Sequence, residues 1–212
     1  IASASDDKTV KIWDVKTGNK IQTLKGHQSG VHSVEFSPDG KTIASGSGDD
    51  IVKIWDLDTG NIIQAPKGYQ SGVYSVEFSP DSKTIASASD DGTVKIWDFA
   101  IGKTIQILKH KNSVASMEFS PDGKNIASVL GDDDRVKIWD VATGKQIQTT
   151  GEEIQTLKGN LNWFATVKFS PNGKLIASVS KDKVIKIWDA KTGKAIQTLE
   201  GYSPVFSPDS KT

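Results

Sequence analysis

Apolar residues in this chain fall in short runs separated by turn chemistry, a pattern that predicts β-strands rather than helices. The best-preserved stretch shows the grammar. Strands are predicted at Val31–Ser37, Thr42–Ser47, Val52–Trp55 and Ile62–Ala65. Between the first two lies Ser37-Pro38-Asp39-Gly40, where proline presets φ and glycine is free to turn left-handed. Gly48–Asp50 makes the second turn, and Asp56 and Gly60 flank the third. Four such strands form one antiparallel sheet, apolar on both faces, which is not stable without a neighbour on each side.

The same unit recurs along the chain. The string KIWD places tryptophans at Trp13, Trp55, Trp97, Trp139 and Trp188, spaced 42, 42, 42 and 49 residues apart. The string FSP begins at Phe36, Phe78, Phe119, Phe169 and Phe206. Self-similarity at this period, with four strands and a Trp-Asp dipeptide in each, resembles the WD40 repeat family over the whole chain. The resemblance implies an all-β β-propeller of five WD40-type four-stranded blades. Because the chain opens on IASASDDKTVKIWD and closes on VFSPDSKT, one blade is expected to be composite, residues 1–25 plus 202–212. The other blades are then 26–67, 68–109, 110–158 and 159–201, all within a single domain. A chain that starts inside a strand is also expected to be a piece of something longer.

The resemblance further implies a structural network in each blade: histidine before the first strand, serine in the second, aspartate in the next turn, and the tryptophan. His27, Ser45, Asp49 and Trp55 match fully; His110, Ser128, Asp133 and Trp139 match with one-residue slips. Ser87, Asp91 and Trp97, then Ser178, Asp182 and Trp188, then Ser3, Asp7 and Trp13 supply the rest elsewhere. In those three blades Tyr69, Asn160 and Tyr202 stand in the histidine position.

Charge and composition narrow the partners. The 26 basic residues cancel the 26 acidic ones, so no net field draws the chain to nucleic acid or to an anionic membrane. Every basic residue but Arg135 is lysine, which removes the bidentate fork that reads phosphate or guanine. With no cysteine there is neither disulfide nor thiolate metal site, and with no long apolar run or signal pattern a cytoplasmic location is expected.

Catalytic and metal-binding candidates are few. His27 and His110 occupy the structural position, and Glu35, Glu77 and Glu118 share one position on the first strand, where Lys168 and Val205 interrupt any acidic ring. That position reads as a solvated or ion-paired channel wall. The run Gly131-Asp132-Asp133-Asp134 lacks the spaced carboxylates of a calcium loop and reads as a turn. No cofactor and no enzymatic activity are expected; a hydrolase would need two acids facing one another about 5–9.5 Å apart.

The function expected is a non-catalytic scaffold that presents loops at one propeller face to a protein or peptide. By the family pattern, contacts lie on either side of the first-strand valine and just before the turn aspartate. Those positions hold Gly30, His32, Gly72, Tyr74, Ser113, Ala115, Trp163 and Ala165, with Asp6, Gly48, Asp90, Asp132 and Lys181. Trp163, in the one segment that departs from the repeat, reads either as a binding anchor or as a wedge at the closure of the ring. A carbohydrate-binding propeller is the alternative, and self-association follows if the ring does not close.

Overall fold

The computed structural model describes residues 1–66, 68–130, 136–149, 166–179 and 183–210. Its elements are all strands, grouped in two compact units, Ile1–Lys109 and His110–Thr212. In the first unit, β1 (Ala2–Ala4), β2 (Thr9–Trp13) and β3 (Lys20–Lys25) form a three-stranded sheet in that order. A second sheet holds β4 (Val31–Phe36), β5 (Thr42–Ser47), β6 (Val52–Asp56) and β7 (Ile62–Gln64). A third holds β8 (Val73–Phe78), β9 (Thr84–Ser89), β10 (Thr93–Asp98) and β11 (Lys103–Lys109). The second unit holds β12 (Val114–Phe119), β13 (Asn125–Leu130), β14 (Val136–Asp140) and β15 (Gln146–Thr149) in one sheet. Its other sheet holds β16 (Thr166–Phe169), β17 (Leu175–Val179), β18 (Val184–Asp189) and β19 (Ala195–Glu200). No helix among the described residues is long and apolar enough to cross a membrane.

The turns form as the sequence predicts. Ser37 Oγ donates to Asp39 Oδ1 at 2.6 Å and accepts the Thr42 amide at 3.0 Å, while Gly40 takes φ +70°. The same clasp recurs at Ser79 with Asp81, at Ser120 with Asp122 and at Ser170 with Asn172. After each KIWD strand but one, its Asp accepts a Thr hydroxyl three residues on, as Asp56 does from Thr59 at 2.7 Å; in the third sheet Ile101 stands in the threonine's place. In every sheet the pairing of the KIWD strand with the strand that follows it slips between the Ile and Trp, for example at Ile54/Trp55. A bulge there strengthens the local twist of the sheet.

Sheets stack face to face within each unit. Val10, Ile12 and Leu24 of the first sheet pack on Val31, Ile43 and Trp55 of the second. Ala44, Val52 and Ile54 pack in turn on Val73, Val76 and Phe78. The approach is close at Gly46, where a Cβ would stand 2.7 Å from Val73 Cγ1. In the second unit Ala127, Val129 and Ile138 pack on Val167, Ile176 and Trp188.

The first strand of each sheet pairs on one side only, leaving amides along its other edge without a ladder partner. In the third and fifth sheets, side chains of the preceding sheet take some of them. Ser33 Oγ accepts the Val76 amide at 3.1 Å, and Glu35 Oε2 accepts the Phe78 amide at 2.6 Å. In the second unit Glu118 accepts the Phe169 amide and pairs with Lys168 Nζ at 2.9 Å. The Glu118–Lys168 pair agrees with the ion-paired reading of this position; Glu35 and Glu118 are in addition partly buried acceptors that join one sheet to the next, and burial pushes the Glu118 carboxyl up against the pull of Lys168.

Two expectations change. The first sheet has three strands where four were expected, and residues 201–210 contain no strand. Phe206 nevertheless packs beside Ala177, Val179 and Ile185, as Phe78 does on the sheet before it. Lys168, standing where three other sheets have glutamate, cannot accept an amide hydrogen. Tyr202, expected in a histidine position, is 66% exposed, with Lys183 Nζ 5.3 Å from its ring centroid. The stretch GYSPVFSPDS is five residues shorter than its counterpart GYQSGVYSVEFSPDS, and that counterpart places Tyr69 in the core.

Candidate functional site

The complete network behaves as a one-way relay. Trp55 Nε1 donates to Ser45 Oγ at 2.8 Å, Ser45 Oγ meets His27 Nε2 at 2.8 Å, and His27 Nδ1 meets Asp49 Oδ2 at 2.9 Å. With His27 neutral and its proton assigned to Nδ1, Trp55 donates to Ser45, Ser45 to His27 and His27 to Asp49. Burial pushes the imidazolium down, outweighing the adjacent Asp49 carboxylate. Burial acts upward on Asp49, but the Gln28 amide at 2.8 Å and His27 hold the carboxyl below its ordinary range.

In the third sheet the tyrosine shortens the relay. Trp97 Nε1 donates to Ser87 Oγ at 2.7 Å, Ser87 Oγ bonds Tyr69 Oη, and Tyr69 donates to the Ser87 carbonyl at 2.7 Å. Asp91 lies beyond this chain and accepts the Gln70 amide at 3.0 Å and the Thr93 hydroxyl at 2.6 Å. Lys95, buried, stands 4.1 Å over the Tyr69 ring and donates to the Gly68 carbonyl. Trp139 to Ser128 to His110 repeats the relay at 2.9 and 2.8 Å, and Trp188 donates to Ser178 at 2.9 Å. Trp13 donates to Ser3 at 2.8 Å, while Asp7 bonds Thr9 and Lys11; the lysine foremost holds its carboxyl far below the usual range. Every one of these groups is engaged with the fold.

The relay predicts an acid-labile sheet. His27 titrates lower folded than unfolded, so its contribution is present above its ordinary value of 6.5 and is lost as pH falls below it. Asp49, also lowered, adds a loss as pH falls past 3.8. The urea midpoint should therefore fall between about pH 7.5 and 5 in the wild type, and much less in His27→Tyr, which copies Tyr69 and removes the titrating ring. Parallel declines in the two proteins would refute the assignment.

The expected contact residues of the first unit meet on one surface. The His32 and Tyr74 rings stand 5.5 Å apart at 48°. Glycines let the loops close together: a Cβ on Gly48 would lie 3.1 Å from His32 Nε2, one on Gly72 3.4 Å from the Gly48 Cα, and one on Gly30 3.0 Å from Asp6 Oδ1. Asp90 accepts the Ser71 hydroxyl at 3.1 Å, and its amide donates to the Gly72 carbonyl at 3.0 Å. Burial, then the Asp90 charge, pushes the Tyr74 phenol up. Three sheets thus contribute an aromatic pair with a carboxylate loop on either side. His32 and Asp6 are exposed, and Tyr74 and Asp90 are partly so. In the second unit Ser113 and Ala115 occupy the matching stretch and offer only small side chains.

Trp163, Ala165, Asp132 and Lys181, and in the network Asp133, Asn160 and Asp182, lie outside the described residues. No group of three or more His, Asp or Glu among the described residues is placed to hold a metal ion. Residue-by-residue reading missed the amide acceptors Glu35 and Glu118, although the pairing of Glu with a recurring VxF was visible in the repeat.

Comparison with known proteins agrees with the repeat. The family described as WD domain, G-beta repeat matches residues 1–14, 18–56, 60–98, 102–140 and 151–189. The F-box-like/WD repeat-containing protein TBL1X of Mus musculus is 61% identical over 41 residues, 19% of this chain and 8% of its own length. Coronin-7 of Mus musculus is 50% identical over 44 residues, 21% of this chain and 5% of its own. The nuclear distribution protein PAC1 of Coccidioides posadasii (strain C735) is 54% identical over 41 residues, 19% and 9%. The similarity to these curated relatives thus spans about one repeat and less than a tenth of their length.

Proposed function

The chain belongs to the WD40 repeat family, and from that premise we propose that it is a non-catalytic interaction scaffold whose loops bind a protein or peptide. The observation that carries this is the convergence of Asp6, His32, Tyr74 and Asp90 from three sheets onto one surface. Loops held by a rigid frame suit recognition, and an aromatic pair brings large area at small conformational cost. The side chains that carry the relay and the sheet joints are engaged in holding the fold, so the surface can vary without cost to it.

The test is a displayed-peptide library selected on the wild type. Enriched peptides are expected to bind the wild type at least about tenfold tighter than Tyr74→Ala or His32→Ala, both of which should keep the wild-type melting temperature. Peptides indifferent to both substitutions would overturn the surface. Enrichment on a glycan array with none in the peptide library would favour the carbohydrate-binding reading instead.

A further inference from the structure

A groove of about 580 Å³ opens on the first sheet, and Lys8, Lys11, Lys20 and Lys25 all line it. Only one carboxylate, Asp7, shares the groove, and it is already bonded by Lys11 and Thr9. Among the described residues no carboxylate lies within ion-pair distance of Lys8, Lys20 or Lys25. Three lysines without an ion-pair partner therefore line one small concavity. Like charges held together in this way attract a counter-anion, and a concave wall focuses their field.

The repeat does not require this set. The lysine of KIWD recurs in every sheet, but Lys20 is replaced by Ile62, Thr104, Gln146 and Ala195 at the equivalent positions. Lys8 is replaced by Asp50 and Gly92 in the next two sheets, and Lys25 by Glu200 in the fifth. The first sheet alone carries all four.

The rest of the lining says what kind of anion fits. Thr23 brings a hydroxyl, Gly26 brings backbone, the Thr9 hydroxyl is given to Asp7, and His27 has both ring nitrogens engaged in the relay. No apolar side chain lines the groove to hold the flank of a peptide, and no guanidinium is there to grip a carboxylate in two-pronged fashion. Ammonium groups act as point charges, which suit a compact, densely charged ligand. We infer that this groove binds a short polyphosphate, two or three linked phosphates held between Lys8, Lys20 and Lys25.

Titration calorimetry of the whole 212-residue chain with inorganic tripolyphosphate tests the site. One equivalent should bind, and affinity should fall severalfold as salt rises from about 50 to about 200 mM. Lys20→Gln/Lys25→Gln should weaken it by about tenfold or more, with an unchanged melting temperature. Lys41→Gln, an exposed lysine on a turn of the second sheet, should bind like the wild type. Absence of saturable binding, several equivalents bound, or an equal loss in Lys41→Gln would overturn the site. A hexaglutamate peptide that binds as tightly would overturn its assignment to phosphate.

Discussion

Replacing Trp55 by alanine should cost about 3–5 kcal/mol of unfolding free energy, and replacing Trp13 distinctly less. Trp55 is 1% exposed and packs between the first two sheets, so its loss removes a large buried surface and leaves a cavity. It also breaks the first link of a relay whose next members, Ser45 and His27, are buried, so the hydroxyl loses its only indole donor. Trp13 is only partly buried and its bond to Ser3 leads to no imidazole within its own unit. Urea unfolding of the two variants beside the wild type decides it. Equal losses would mean that the relay adds nothing to the burial of the indole.

Glu35→Ala should cost about 2 kcal/mol and Glu35→Gln well under half of that. The alanine variant leaves the Phe78 amide without an acceptor on a buried residue, whereas glutamine keeps an oxygen within reach and removes only the charge. The contrast separates acceptor from electrostatics. A solvated wall residue would give small, similar values for both variants, so chemical unfolding of the pair tests the joint directly. Loss in Glu35→Gln as large as in Glu35→Ala would place the effect in the charge.

Strands and turns were legible because each depends on local chemistry: the serine and aspartate of SPDG, the left-handed glycine, the alternation in VKIW. Predicted and observed strands agree within a residue, as at Val31–Phe36 and Thr42–Ser47. The relay was legible as a set of positions, yet its truncation at Tyr69 was not. Whether a hydroxyl reaches Asp91 or stops at Ser87 depends on side-chain length against a fixed strand spacing, which no pattern states. The acceptor role of Glu35 was hidden for a related reason. Alternation marks which face a residue occupies, and Glu35 acts sideways, along the edge of a neighbouring strand. The exposed Tyr202 stands in a stretch five residues shorter than its counterpart, a length difference that the sequence displays without saying what it does to packing.

The glutamate joint is directional, and that bears on how such a chain is assembled from copies of itself. Glu35 is a plug that reaches from the first strand of its sheet to the Phe78 amide on the first strand of the next, and Glu118 reaches Phe169 in the same way; each receiving amide, the socket, belongs to the residue that follows the glutamate position. Tandem copying of such a unit reproduces both halves in register, so a spliced-in copy finds a fitting on either side without further substitution. The unit headed by Lys168 receives the plug of Glu118 but carries none of its own. Inserted mid-array, it would leave the following strand unfastened, and one Lys-to-Glu exchange at that position is what would make it interchangeable with the rest.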